Sequence, residues 1–170
     1  MPQERENIFI SYCREDHKWL EMFRTMLTPM IRKEKLKIWD DTKIMPGTKW
    51  RAEIEKAVAG SKVALLLVSA RLLASDFIID TELPLLSKAQ EDGGLTILWV
   101  AVSRCMYQYT DLTDYQALND PAKPLDAFVG GKLNDEMFRV CKLIKKVMDS
   151  PPQQSGGITL YEKEQTESSE

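Results

Sequence analysis

Residues 62–69 read KVALLLVS, and the six consecutive apolar side chains within that stretch leave no polar face for solvent. A strand that is apolar on both faces is typical of the centre of a parallel sheet, where helices cover each side. Residues 95–102 form a second continuous apolar run, and shorter β-rich runs occupy residues 8–12 and 36–39. The sequence therefore predicts four strands, with residues 62–69 in a central position.

Helical patterns lie between these strands. Apolar residues recur at three- and four-residue spacing over residues 16–33, where Pro29 predicts a kink or an early end. Residues 48–58 are predicted as a second helix, capped by Thr48 at its start and by Gly60 at its end. Strands that alternate with helices predict an α/β fold with a parallel sheet.

The second half of the chain continues the alternation. Residues 75–90 are predicted as a third helix that ends before Gly93 and Gly94. Residues 103–133 are irregular, with a minor fifth strand or a short helix expected near residues 125–128. A last amphipathic helix is predicted from an apolar stripe, formed by Met137, Val140, Cys141, Ile144, Val147 and Met148.

Composition narrows the class of protein. The 170 residues are 44% hydrophobic and 29% charged, which is ordinary for a globular protein and excludes wholesale disorder. The net charge of −3 disfavours nucleic acid as a partner. No apolar run approaches the roughly 18 residues that span a bilayer, and the first seven residues do not resemble a signal peptide. We therefore expect no membrane contact and a cytoplasmic location.

Two further features concern cysteine and the end of the chain. Three widely spaced cysteines without a Cys-x-x-Cys pair, and a single histidine, predict neither a disulfide framework nor a metal site. From residue 149 on, Ser, Pro, Gln, Gly and Glu dominate. This shift predicts one folded domain over residues 7–148 and a disordered acidic tail or linker over residues 149–170.

Polar residues follow each of the four predicted strands, in segments 11–16, 39–50, 69–82 and 103 onward. In an open parallel sheet, ligands bind outside the carboxyl ends of the strands, where the strand order reverses. We therefore expect the functional site at that edge.

The residues at these strand ends also match a family. The match is carried by five short segments, namely IFISY at 8–12 followed by Arg14 and Asp16, IWDD at 38–41, MPG at 45–47, VSARLLASDFI at 68–78 and TEL at 81–83. Together, in this order, they resemble a Toll/interleukin-1 receptor (TIR) domain of the bacterial and archaeal type. The resemblance covers nearly all of residues 7–148. It implies a flavodoxin-like sheet of five parallel strands in the order 2-1-3-4-5, and a protruding loop over residues 40–48 for self-association and ligand gating.

The family resemblance also implies a chemistry. Many members hydrolyse NAD⁺ at the nicotinamide–ribose bond, some cyclise the ADP-ribose product, and others are adaptors without activity. The catalytic residue carried over is Glu82, whose carboxylate would hold the ribose and offset oxocarbenium charge. Without the motif, a solvated helix glutamate is the simpler interpretation. Pro84 predicts either a kink beside Glu82 or a regular helix that begins near Thr81.

The remaining site residues follow from the same resemblance. Cys13 and Arg14 correspond to positions that reach the phosphates and adenosine, although Arg14 could equally pair with Glu15 or Asp16 at the surface. Ligand-flanking positions of the loop correspond to Lys43, Met45, Pro46 and Gly47. Trp50 suits stacking on a flat ring, or a place as a core anchor.

Two positions depart from the family pattern. Ile78 stands where several NAD⁺-cleaving members carry a tryptophan one turn before the glutamate, so Trp50 or Tyr12 would have to supply the stacking. Cys13 stands where many members have a polar or basic residue.

Two functions are consistent with these residues, and a third is disfavoured. The first is an NAD⁺ glycohydrolase with NAD⁺ as substrate and no further cofactor, activated by head-to-tail self-assembly, in immune or stress signalling. The second is a protein-interaction module that uses the loop over residues 40–48, with Glu82 inert. A phosphate-accepting receiver domain is disfavoured because the first strand ends in Ser11 and Tyr12 instead of an acidic pocket, although Asp40 and Asp41 are present.

Overall fold

The computed structural model describes residues 5–40 and 49–151. Its five strands form one sheet in the order β2-β1-β3-β4-β5, and every neighbouring pair is parallel. The strands are β1 (Asn7–Ser11), β2 (Ile38–Trp39), β3 (Ser61–Val68), β4 (Thr96–Ala101) and β5 (Gln116–Ala117). The predicted fold class and strand order are confirmed.

In the part of the chain that the structure describes, five α-helices connect and cover the strands. They are α1 (His17–Glu34), α2 (Trp50–Ala59), α3 (Ala70–Leu73), α4 (Leu83–Glu91) and α5 (Gly130–Asp149). Helices α1 and α5 pack on one face of the sheet, while α2 and α4 pack on the other. Within the described residues, no helix is both long and apolar enough to cross a membrane.

Strand β3 shows why its sequence is apolar throughout. Val63, Leu65 and Leu67 belong to the core beneath α1 and α5. The alternate residues Leu66 and Val68 belong to the core beneath α2 and α4. Side chains of a strand alternate between the two faces of a sheet, so a strand covered on both sides needs apolar residues at every position.

Pro29 does not end α1, contrary to the expected early end. The helix continues to Glu34, with Leu27 buried before the proline and Ile31 packed against the core after it. The apolar side chains buried before and after Pro29 stabilise the helix by more than the one hydrogen bond that proline cannot donate.

The second helix differs slightly at its start. It begins at Trp50, after Lys49, and the expected cap Thr48 lies outside the described residues. Gly60 is the C-cap, as predicted, and its amide donates to the carbonyl of Lys56. Gly93 and Gly94 follow α4 with φ of 90° and 99°, which suits glycine and explains why the helix ends there.

Of the two alternatives expected near residues 125–128, the short helix is present, and the fifth strand lies earlier in the chain. Residues 125–127 form a short 3₁₀ helix, while β5 is the two-residue strand Gln116–Ala117. The side chain of Asn119 extends this pairing, because its Oδ1 accepts from the amide of Ala101 and its Nδ2 donates to the carbonyl of Ala101. Two residues are too few to show an alternating pattern, so the sequence did not reveal β5.

Candidate functional site

The site lies at the carboxyl edge of the sheet, where the connections from β1 and β3 leave the strands. Strand β1 is flanked by β2 and β3, so the chain leaves β1 toward one side and later returns on the other. This reversal creates the crevice in which open parallel sheets bind ligands. The segments after β1 and β3 both carry polar side chains that are buried at this edge.

The helix after β3 is irregular just before Glu82. Residues Ile78–Glu82 form a π-helical turn, in which the amide of Leu83 donates to the carbonyl of Ile78. Pro84 stands in the first turn of α4 and has no amide hydrogen for the carbonyl of Asp80. Of the two alternatives for Pro84, the regular helix therefore begins late, at Leu83, and the wide turn accommodates the proline.

Glu82 is the residue that immediately precedes α4, and its side chain is buried, with 4% of its surface exposed. The hydroxyl of Ser11 donates a hydrogen bond of 3.0 Å to its Oε2. Ser11 is the last residue of β1 and is 2% exposed. A solvated helix glutamate is therefore the wrong description of Glu82, because its carboxylate faces the end of β1.

A second buried carboxylate links the segments after β1 and β3. Asp16 is 4% exposed and accepts a short hydrogen bond from the hydroxyl of Ser69. The same hydroxyl accepts from the amide of Leu72 at 3.1 Å and so caps α3. Arg71 Nη1 lies 3.2 Å from Asp16 Oδ1 while most of the Arg71 side chain is exposed. Sequence reasoning assigned no role to Ser69 or Arg71, although both lie directly after a buried strand and within the family motif at 68–78.

The two residues assigned to the phosphates lie in the turn after β1. Arg14 is exposed, and among the described residues the cation that contacts Asp16 is Arg71, not Arg14. Cys13 is partly buried, and its thiol donates to Oε2 of Glu15 at 2.7 Å. Burial and this hydrogen bond raise the pKa of Cys13, while the pKa of Glu15 is lowered chiefly by the bond from the thiol. Cys13 is therefore a neutral thiol at pH 7.

Asp40 directly follows β2 and carries a fully buried charge, while the rest of the expected loop over residues 40–48 lies outside the described residues. Asp40 is 0% exposed and forms an ion pair with Arg24 of α1. Arg24 also lies 3.6 Å from Glu21 on the same helix. Four of the expected ligand-flanking residues lie outside the described residues, namely Lys43, Met45, Pro46 and Gly47.

Two exposed aromatic rings are in contact, Trp50 at the start of α2 and Phe77 just before the π turn. The ring centroids of Trp50 and Phe77 are 5.1 Å apart with an interplanar angle of 65°. Trp50 is 42% exposed, so it is not the core anchor that sequence allowed. Tyr12 and Ile78 are both buried and present no ring or side chain for stacking at the surface. Sequence reasoning missed Phe77, although it immediately precedes the family's tryptophan position.

The described residues contain no cluster of three or more His, Cys, Asp or Glu side chains that could hold a metal ion. At this edge the described residues include a buried carboxylate bonded to a hydroxyl, a second bonded to a hydroxyl and an arginine, a third bonded to an arginine, and a surface pair of aromatic rings. Carboxylates can bind sugar hydroxyls, a guanidinium can bind an anion, and the aromatic pair can bind a flat ring.

The family model described as TIR domain matches residues 8–129. An uncharacterised protein of Sinorhizobium fredii, y4lF, is 21% identical over 140 residues, which are 82% of this chain and 43% of that protein. The chain thus spans less than half the length of this relative. A solved structure shows TIR domains of the activated Roq1 resistosome, which directly recognises the pathogen effector XopQ. Its alignment covers 85% of this chain and 84% of the solved chain, at 16% sequence identity and a TM-score of 0.42.

Proposed function

The chain belongs to the TIR domain family, whose model matches residues 8–129, and from this premise we propose that it is an NAD⁺ glycohydrolase with Glu82 as its catalytic residue. The observation that carries the proposal is the position of Glu82. Its carboxylate is buried at the carboxyl edge of the sheet and is bonded to the end of β1. A buried ionisable group in this place costs folding free energy, which a merely structural glutamate on a helix surface would avoid.

The reaction breaks the bond between C1′ of the ribose and the nicotinamide nitrogen. The bonding electron pair leaves with the nicotinamide, whose pyridinium becomes a neutral ring, so the leaving group needs no proton. Water adds to C1′ and loses a proton to solvent, which gives nicotinamide and ADP-ribose. Attack by the adenine ring instead of water would give a cyclic product.

A single carboxylate is sufficient for this chemistry. As the nicotinamide leaves, positive charge develops on the ribose, and a nearby carboxylate stabilises that charge more in the transition state than in the ground state. The effect is larger in a site of low dielectric constant, such as the nearly solvent-free surroundings of Glu82. A carboxylate oxygen also accepts hydrogen bonds from the ribose hydroxyls and so orients the sugar.

The remainder of the dinucleotide has candidate partners at the same edge. The exposed guanidinium of Arg14 suits the pyrophosphate. The Trp50 and Phe77 rings suit one of the two bases. We further propose that Cys13, Lys43, Met45, Pro46 and Gly47 flank the ligand, that activity requires head-to-tail assembly of several copies, and that the enzyme serves immune or stress signalling in the cytoplasm.

An adaptor function is the second candidate, and the exposed Trp50 and Phe77 pair favours it, because aromatic rings are common in protein interfaces. The two functions differ in their dependence on Glu82. Concentrated protein is incubated with NAD⁺, and released nicotinamide is quantified by chromatography. We expect the wild type to release nicotinamide and Glu82→Gln to lose this activity.

Glu91→Gln is the matched control, since Glu91 is the exposed last residue of α4, the helix that Glu82 precedes, and undergoes the same change of charge. It is expected to keep the wild-type rate. Release of nicotinamide by Glu82→Gln at the wild-type rate would overturn the catalytic assignment. No release by the wild type, even with crowding agents that promote assembly, would favour the adaptor.

A further inference from the structure

The contact between Ser11 and Glu82 joins residues from two distant parts of the chain. The hydroxyl donates to Oε2 over 3.0 Å, and the two residues are 2% and 4% exposed. Water therefore has little access to this bond. A buried hydrogen bond to a charged group contributes more than one at the surface, because the carboxylate lacks water as an alternative donor.

The two partners differ in how firmly the backbone holds them. Ser11 ends β1, which pairs with β2 and β3 on its two sides, and Ser11 itself is in register with Leu66. Its hydroxyl is attached through one rotatable bond to this fixed strand. Glu82 is attached through three, at the end of a π turn. A long side chain in that position needs a second anchor to keep its carboxylate in one geometry.

The chemistry of the donor also favours the charged form. A hydroxyl that donates to a carboxylate stabilises the ionised state over the protonated one. The proposed reaction requires that ionised state, because a protonated carboxyl group would not offset positive charge on the ribose.

We infer that Ser11 is a positioning residue for Glu82: its hydroxyl holds the carboxylate in its reactive orientation. This inference rests on the proposed function. It assigns to the end of β1 a part in turnover, in addition to its part in the sheet. Ser11 itself touches neither the reacting carbon nor the leaving group.

The test compares nicotinamide release by the wild type, Ser11→Ala, Ser11→Cys and Glu82→Gln. Loss of a hydrogen bond to a charged group predicts that Ser11→Ala lowers kcat by about ten- to a hundredfold, with little change in KM. The acidic limb of its kcat/KM profile should move to higher pH, because the carboxylate has lost a donor to its ionised form. Ser11→Cys keeps a weak donor of similar shape, so its kcat should lie between those of the wild type and Ser11→Ala.

Ser61→Ala is the matched control for the loss of a buried serine. Ser61 is 0% exposed and donates to the carbonyl of Ala57 at 2.7 Å, but it lies at the amino end of β3, on the opposite edge of the sheet. Its removal is expected to lower stability without moving the pH profile. Circular dichroism checks that each variant is folded. If Ser11→Ala does not fold, the comparison of rate and pH profile is made with Ser11→Cys.

The outcomes separate the inference from the function on which it depends. Turnover that requires Glu82 but is unchanged in Ser11→Ala, in both rate and pH profile, overturns the inference alone. A higher rate in Ser11→Ala also overturns it, and would make the contact a latch that restrains Glu82. If the wild type releases no nicotinamide, or if Glu82→Gln is fully active, the proposed function fails together with the inference.

Discussion

The rings of Trp50 and Phe77 meet edge to face, with centroids 5.1 Å apart, although 42% and 38% of the two residues are exposed. Large apolar side chains in contact at the surface are more informative than single exposed ones, because together they form a patch that prefers a partner. The patch joins the start of α2 to the segment that leads to Glu82. If it binds a base of NAD⁺, it replaces the tryptophan whose position is taken here by the buried Ile78.

We expect Trp50→Ala and Phe77→Ala to raise the KM for NAD⁺ by about 5- to 150-fold, since stacking of one base on an aromatic ring contributes about 1–3 kcal/mol. The kcat should change less, because the rings hold the base and do not contact the reacting bond. Steady-state kinetics of nicotinamide release gives both constants. Tyr109→Ala is the control, because Tyr109 is 82% exposed and no ring contact joins it to the described aromatic residues of the site. Equal KM values for all variants would assign the pair to another partner.

Much of the fold could be predicted from sequence because its strongest signals are long. The apolar run of β3 and the stripe of α5 each extend over several turns or strand positions, so single exceptions do not obscure them. Strand β5 was missed because it has two residues, and the continuation of α1 past Pro29 depends on packing against the core. Short elements and tertiary packing leave little trace in local sequence.

The candidate site, too, could be predicted from sequence only in part. Its location at the carboxyl edge follows from the parallel sheet, and Glu82 follows from the family resemblance. The bonds that hold the site do not, because Ser11 and Glu82 lie 71 positions apart and Asp16 and Ser69 lie 53 apart. A single sequence contains no signal for such pairs. The exposure of Trp50 was likewise open until its surroundings in the fold were known.

The network around Asp16 predicts an asymmetry between its two partners. Asp16→Ala removes the acceptor of the Ser69 hydroxyl, which is buried, and of Arg71, whose side chain is 63% exposed. We expect this variant to lose about 1–3 kcal/mol of unfolding free energy, the typical effect of leaving a buried polar group unsatisfied. Arg71→Ala should lose less than about 1 kcal/mol, because solvent screens an exposed ion pair. Urea denaturation measures both, and equal losses would contradict this account.

The three cysteines should differ in reactivity. Burial raises the pKa of Cys141 to about 12, and burial also raises the pKa of Cys105 and Cys13. Cys141 lies on the buried face of α5, whereas Cys13 and Cys105 are partly exposed. Iodoacetamide at pH 8 should therefore modify Cys13 and Cys105 in the native protein and Cys141 only after unfolding. Peptide mass spectrometry locates the label, and native-state modification of Cys141 at the rate of the others would be inconsistent with its burial.

The same residue makes stability depend on pH. Because the pKa of Cys141 is raised from 9.0 to about 12 on folding, the unfolded chain releases this proton first as the pH increases. Its contribution is complete below pH 9 and is lost as the pH rises toward 12. Between pH 8.5 and 11, the unfolding free energy of the wild type should fall more steeply than that of Cys141→Ala. Parallel slopes would show that the thiol does not titrate differently in the two states.

Pro84 predicts a separation of stability from activity. The π turn over Ile78–Glu82 places Glu82 at the end of β1, and it precedes a proline that cannot donate to the carbonyl of Asp80. Pro84→Ala restores an amide donor, so the segment can form a regular α-helix with the carbonyl of Asp80 as acceptor. This change adds a hydrogen bond and should leave the unfolding free energy equal or higher. It also rotates Glu82 relative to Ser11, because a π turn and an α turn differ by one residue.

We therefore expect Pro84→Ala to lower the rate of nicotinamide release at least tenfold while its urea midpoint is maintained or raised. A displacement of about 1 Å is enough to reduce turnover a hundredfold when a catalytic group depends on orientation. The control is Ser87→Ala in the same helix, which removes only the hydroxyl that accepts from Tyr115 at 2.9 Å. A second proline variant such as Ala89→Pro would break α4 and is therefore not a useful control. If Pro84→Ala is as active as the wild type, the wide turn has no part in placing Glu82, and the proline serves only to begin α4.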